Sequence, residues 1–288
     1  MKRLFCFILL AFSIVSCTDN DDVVPTEELT PVEINDPTKL AKVIFDPGSY
    51  AEEHWNFYTN GLLKEIKKKD GTVKANFVYD ANNNLISTQQ LNSDGTSKLF
   101  TFTYDTNGFI TSPDIHFDSS SNSYVIGDVN HYYSEYKLNS DKLLDSHHTT
   151  QVEYENDIKY PFTHNMQTIS YSNKNIVGIS VFNAEVYSGY SHDNKINPLR
   201  NATIAISRAF VFNYKASNES WYNSFYNSYN NVISESYSYE DPESAIFQYE
   251  YNSNDLPVKR TCSYYYLNTL EGTRVDALYY YQGDVIPK

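Results

Sequence analysis

Few side chains in this 288-residue sequence could do chemistry by type and spacing. Its seven histidines include the pair His147-His148 and the dipeptide His192-Asp193. Zinc needs three or four convergent ligands, and neither an HExxH helix nor a cysteine pair is present to supply them. The histidine pair in LDSHHTTQ is therefore expected in a solvated loop. The stretch FVYDANNNLIST, Phe77 to Thr88, looks at first like a calcium loop, with Asn82 and Asn84 at the third and fifth positions counted from Asp80. Leu85 then stands where such a loop turns on glycine, and Leu91 where a glutamate must close the cage. That phrase reads instead as an Asx turn between two strands. A GxSxG nucleophile elbow and a phosphate-cradling glycine loop are both absent. The 36 acidic residues neither support nor exclude a two-carboxylate glycosidase, because such a pair can come from any sequence distance. A binding surface has more behind it. The run SWYNSFYNSYNN from Ser220 concentrates Trp221, Tyr222, Phe225, Tyr226 and Tyr229 among amides. Flat rings with amide donors suit sugars, although the same aromatics at alternating spacing also build sheet ladders. These five are the candidate ligand-binding residues. No catalytic residue, metal ligand or cofactor is assigned.

The first residues carry an address. Residues 1–16, MKRLFCFILLAFSIVS, join Lys2 and Arg3 to an apolar run too short to span a bilayer, the pattern of a signal peptide. Ile14-Val15-Ser16-Cys17 resembles the bacterial lipobox, which implies that Cys17 takes a diacylglycerol and becomes the N-terminus. Thr18-Asp19-Asn20-Asp21-Asp22 resembles the acidic export signal of Bacteroidota lipoproteins, so the expected location is the outer membrane, facing the cell surface; the alternative faces the periplasm. Residues 17–37 hold prolines 25, 31 and 37, many acids and no aromatic, and are expected to be a flexible tether. Residues 38–288 form the folded domain. Removing residues 1–16 takes two of the 22 basic residues and none of the 36 acidic ones, so the charge moves from −14 to −16. That field repels a phosphate backbone and excludes nucleic-acid binding. Cys6 leaves with the signal and Cys17 is committed to lipid, so Cys262, in RTCSYYYL, is left alone and reads as a small buried apolar residue.

The elements that would position these groups are mainly strands. Phe100, Phe102 and Tyr104 alternate, as do Ala245, Phe247, Tyr249 and Tyr251. TIAISRAFVFNYK, with Ile204, Ile206, Phe210, Phe212 and Tyr214 on one face, is also read as a strand. A turn or two of helix is expected around Ala51 to Trp55, and longer loops over 113–160 and 183–200. Asn60-Gly61, Asp70-Gly71, Asp94-Gly95 and Asn107-Gly108 are tight-turn signals. The first two Asp-Gly pairs are 24 residues apart and the Tyr-Asp pairs at 79 and 104 are 25 apart, a period that marks an array of hairpins.

Tyr79-Asp80 with Asn84-Leu85, and Tyr104-Asp105 with Asn107-Gly108-Phe109, resemble the YD repeats of RHS-type proteins, in which hairpins coil into a superhelical sheet. The stretch from Tyr190 to Leu199, then Asn230-Asn231-Val232, then Tyr249 to Pro257, is similar to an arrangement in uncharacterised Bacteroidota lipoproteins, and the likeness covers most of 55–265. Only two copies keep the Tyr-Asp pair, and Asn84 replaces the usual glycine, so a long closed shell is not expected. The resemblance implies a fold and an address, and no catalytic residues. The expected fold is all-β: one domain, a twisted, curled antiparallel meander of repeated hairpins with few short helices. The expected role is a non-catalytic envelope binding module for a glycan or peptide. A structural or assembly partner in an envelope protein complex is the alternative, and a hydrolase with an unrecognised carboxylate site comes third.

Overall fold

The hairpin turns explain the sheet. In a computed structural model, the described residues run from 36 to 287, apart from 93, 105–109, 112–114, 119–122, 129, 131, 156–157, 183–185, 211–226 and 239–242. Six turns share one construction, at 58–62, 68–72, 80–84, 92–96, 139–143 and 252–256. In each, the first residue's N–H donates to the fifth residue's carbonyl, and the fourth residue's N–H donates back to the first carbonyl. The fourth residue has positive φ: Gly61, Gly71, Asn83, Gly95, Lys142 or Asp255. This is a type I turn closed by a bulge, which matches the twist of the strands it joins. Asx side chains replace missing backbone bonds. Asp80 Oδ1 accepts the amides of Asn82 and Asn84, Asn139 Oδ1 those of Asp141 and Leu143, and Asn252 Oδ1 those of Asn254 and Leu256.

In chain order the strands are β1 (Leu40–Phe45), β2 (Glu53–Phe57), β3 (Leu63–Lys68), β4 (Val73–Tyr79), β5 (Leu85–Leu91), β6 (Ser97–Thr101), β7 (Thr103–Tyr104), β8 (Ile110–Thr111), β9 (Ile115–Asp118) and β10 (Ser123–Asp128). Then come β11 (Tyr132–Leu138), β12 (Leu144–Glu155), β13 (Ile158–Ser172), β14 (Asn175–Phe182), β15 (Val186–Ile196), helix α1 (Pro198–Phe210), β16 (Asn230–Ser238), β17 (Glu243–Tyr251), β18 (Pro257–Tyr266) and β19 (Thr269–Tyr281). Successive strands from β1 through β6 pair antiparallel, as do successive strands from β9 through β19. β19 then returns to pair with β1. One 17-stranded antiparallel meander results, and β7 and β8 form a separate two-stranded ladder. Among the described residues, the outermost strands β6 and β9 each pair on one side, so the sheet is not closed.

Several local expectations are corrected. Residues 53–57 form strand β2, because Trp55 and Phe57 alternate into the core, and they are not a helical turn. Much of 113–160 and 183–200 forms β9 to β12 and β15 where loops were expected. Their polar residues alternate with inward ones, as in Val152 between exposed Gln151 and Glu153. The run read as a strand through Ile204, Ile206 and Phe210 is helix α1 as far as Phe210; Phe212 and Tyr214 lie outside the described residues. Leu199, Ala202, Ile206 and Ala209 recur at helical spacing and are all buried. Asn197 caps the helix, its Oδ1 accepting the Leu199 amide at 3.1 Å, and Pro198 sits at the first helical position, where its missing N–H costs nothing.

The helix fills the core. Its apolar residues Leu199, Ala202, Ile206 and Ala209 pack against β1 and β5 and join one buried cluster with Leu40, Val43, Phe45, Phe57, Leu63, Leu85 and Tyr281. Its polar side meets the β11–β12 turn. Arg208 donates through Nε and Nη2 to the Asp141 carbonyl at 3.0 and 2.8 Å, and Arg200 Nη2 reaches the Asp141 carboxylate at 2.9 Å. β1 and the β11–β12 turn are distant in sheet order, so the sheet must curl around α1 for one helix to touch both. Burying Ile206 or Leu63 contributes about 1.5–3 kcal/mol each.

Candidate functional site

Tyrosine phenols close the defects that the bulges leave. Tyr79 donates to the Leu63 carbonyl at 2.8 Å, Tyr104 to Leu85 at 2.7 Å, Tyr171 to Leu144 at 2.7 Å, Tyr249 to Val232 at 3.0 Å and Tyr281 to Pro257 at 2.9 Å. Each accepting residue lies where its ladder shifts register at a bulge. A carbonyl lifted out of its ladder needs another donor, and the phenol supplies it. Burial raises the pKa of every one of these tyrosines, that of Tyr249 to about 12. Tyr79-Asp80 thus couples two jobs in a hairpin, the phenol serving a bulge and the Asp80 side chain serving the next turn.

The chemically richest surface lies on the inner face of β15 to β19. Register places Tyr190 of β15 opposite Glu235 of β16, Glu235 opposite Ala245 of β17, and Ala245 opposite Tyr264 of β18. The next row sets Tyr237 opposite Glu243. These residues line a cleft of about 210 Å³, walled by Glu235, Tyr237, Glu243, Ala245 and Tyr264. Glu235 and Glu243 are diagonal neighbours, with main chains about 7–8 Å apart by sheet geometry. Burial raises the Glu235 pKa, a shift that a hydrogen bond from Tyr190 and the charge of Arg260 partly offset. The Tyr264 phenol is pushed up to about 12, first by its hydrogen bond to Glu243.

Beneath the cleft the same face is closed. Arg260 and Asp276 form a buried ion pair, with Nε 3.0 Å from both carboxylate oxygens and Nη2 2.8 Å from Oδ2. The guanidinium lies 5.2 Å from the Phe247 ring centre. Cys262 is half-buried here, and burial pushes its thiol up to about 11, away from nucleophilic character.

Of the sequence candidates, Cys17, Trp221, Tyr222, Phe225 and Tyr226 lie outside the described residues. Tyr229 is exposed, with the Arg200 guanidinium 5.8 Å from its ring centre, and it does not line the cleft. The histidine pair is not in a loop: His147 is buried in β12, stacked on Tyr136 with ring centres 4.3 Å apart, and His148 Nε2 meets Glu135 at 3.0 Å. Burial, reinforced by His148, lowers the His147 pKa to about 4.

His192 contacts Ser228 Oγ at 3.0 Å, with Asp193 next in sequence, yet this is not a nucleophilic triad. Ser228 is buried and its Oγ accepts the Ile176 amide. The Asp193 carboxylate is turned to the Lys195 and Asn231 amides and the Tyr251 hydroxyl. Asp80, likewise, spends its carboxylate inside its own turn. Among the described residues, no three His, Cys, Asp or Glu side chains converge as a metal site would require. The cleft went unseen in the sequence because its walls come from three strands; the available signal was Glu235 and Glu243 sharing the inward alternation of aromatic strands.

Fold and site together define an all-β protein in which a curled antiparallel sheet carries a tyrosine-and-carboxylate cleft. No protein-family model matches the chain, and no curated protein matches it. Among solved structures it is similar to a porin-like protein from Bacteroides uniformis, at 13% identity and a TM-score of 0.36, covering 85% of this chain and 98% of that one. A second, a porin-like protein from Bacteroides vulgatus, is 12% identical with a TM-score of 0.26, covering 67% and 96%.

Proposed function

We propose that this protein is a non-catalytic binding module of the bacterial envelope, lipidated at Cys17, held on the tether 17–37 at the outer membrane, and facing the cell surface. Its ligand is a glycan or peptide. The observation that carries the binding reading is the cleft. Exposed Tyr237 and Tyr264 flank two carboxylates on paired strands, an arrangement of flat apolar faces and a few placed polar groups that suits a small polar ligand. The lipid reading rests on Ile14-Val15-Ser16-Cys17 and the acidic residues behind it.

Screening the soluble domain against glycan and peptide arrays, with Tyr264→Ala in parallel, tests the ligand class; binding should appear and fall in the variant. An array with no binder overturns the reading. Mass spectrometry should find an acylated Cys17, and an unmodified thiol there refutes the anchor. Protease shaving of intact cells should remove the domain if it faces outward.

The assembly-partner reading keeps one specific observation. Among the described residues β6 pairs only with β5, and Leu99 is exposed on it, with Val78 and Ile86 exposed nearby. Such an edge can accept a strand from another chain. Crosslinking pull-down of a stoichiometric envelope protein, lost on Leu99→Lys, would favour it.

A further inference from the structure

The cleft has a definite electrostatic sign. Among the described residues its lining is Glu235, Tyr237, Glu243, Ser244, Ala245 and Tyr264, none of them basic. Two arginines share this face: Arg274, opposite Cys262, pairs with Asp46 at 3.1 Å, and Arg260 is buried and bonded to Asp276, so both charges are already matched. The chain as a whole carries −14. An anionic ligand would meet two carboxylates and a repulsive field. A neutral sugar would find stacking faces but would bring no positive charge to Glu235, whose carboxyl takes a hydrogen bond from Tyr190.

Two exposed phenol rings beside two carboxylates match a different chemistry. A ring face attracts a cation within about 6 Å of its centre, and each carboxylate can accept an N–H from an ammonium group. The volume, about 210 Å³, suits one ring or one substituted ammonium group more than an extended chain. A metal ion fits less well, because two carboxylates supply at most four oxygens where calcium takes six to eight.

We infer that the cleft between Glu235, Glu243, Tyr237 and Tyr264 recognises a ligand through an ammonium group, such as the free amine of an amino sugar. This rests on the binding reading above. The same group could be offered by a de-N-acetylated glycan or by an aliphatic polyamine, and the test separates them.

Isothermal titration of the intact soluble domain uses three probes: a glucosamine trimer with free amines, its fully N-acetylated counterpart, and spermidine. The expected result is binding of the free-amine trimer, weakened on N-acetylation and by added salt, with Glu235→Gln and Glu243→Gln each weakening it about tenfold to a hundredfold. Equal binding of both trimers overturns the ammonium inference and leaves glycan binding standing. Spermidine binding without either trimer supports the ammonium inference and removes the glycan. No binding by any probe overturns the inference, and an array that still finds a binder then preserves the broader reading. Because the probe comparison is made on the native sequence, it stands even if a Gln variant fails to fold.

Discussion

Raising the pH above 10 should unfold this protein abruptly. Five phenols, buried Tyr281 and partly buried Tyr79, Tyr104, Tyr171 and Tyr249, each donate to a backbone carbonyl. A phenolate cannot donate, and its charge would sit against a carbonyl oxygen in the interior. Burial accordingly holds all five pKa values above that of a free phenol. The folded state therefore keeps protons that the unfolded chain releases near pH 10, so stability is fully present below that pH and falls as pH rises towards the folded values. Each group contributes a slope of about 1.4 kcal/mol per pH unit in that window. The five together give about 7 kcal/mol per unit, against a total stability of about 5–15 kcal/mol for a domain. Unfolding is expected within about one to two units above pH 10. The assay pairs tyrosinate absorbance with far-ultraviolet circular dichroism across an alkaline titration. Both signals should change together and steeply. Tyr281→Phe sharpens the test, because it loses a hydrogen bond of about 1 kcal/mol at neutral pH while shedding one share of the slope. It should be less stable than the parent at pH 7 and equal to it less than about one unit above pH 10. Smooth tyrosine titration near pH 10 with unchanged dichroism refutes the reasoning, as does a Tyr281→Phe slope equal to the parent's.

Other outcomes follow from the same structure. His147, buried and neutral with its pKa lowered to about 4, binds a proton in the unfolded chain first; stability should fall as pH drops from about 6.5 towards 4, by up to about 3 kcal/mol, and His147→Gln should flatten that part of a thermal-melt profile. Arg260→Ala leaves Asp276 buried without its ion pair and should cost about 3–5 kcal/mol in denaturant titrations, whereas the double change to Arg260→Met with Asp276→Leu should recover most of that loss. Asn197→Ala removes the α1 cap and a buried amide bond to the Ser228 carbonyl, and should lower stability by about 2 kcal/mol with a matching loss of helical signal.

The hairpins between Asn60 and Tyr104 were legible because their information is local. Asp70-Gly71 and Asp94-Gly95 specify positive φ at one residue, and alternating Ala75 and Phe77 specify a face. Helix α1 was not, because Ile204 and Ile206 satisfy a period of two while Leu199, Ala202, Ile206 and Ala209 satisfy the helical one. With alanine at so many buried positions, the apolar stripe is faint; Asn197-Pro198 was the cue that separated the alternatives. The cleft depended on register among β16, β17 and β18, which no single segment encodes. Tyr229 shows the converse, an aromatic selected by composition that its neighbours place beside Arg200 and away from the cleft.

The pairing of β1 with β19 sets a clock. Leu40 faces Tyr281 across that seam, at opposite ends of the folded unit. A ribosome delivering the chain in order exposes β1 first and supplies its second neighbour last. Until then β1 has β2 on one side and a bare edge on the other, and the tyrosines at 279 and 281 are missing from the core around α1. Completion of the fold is thereby postponed to the end of delivery.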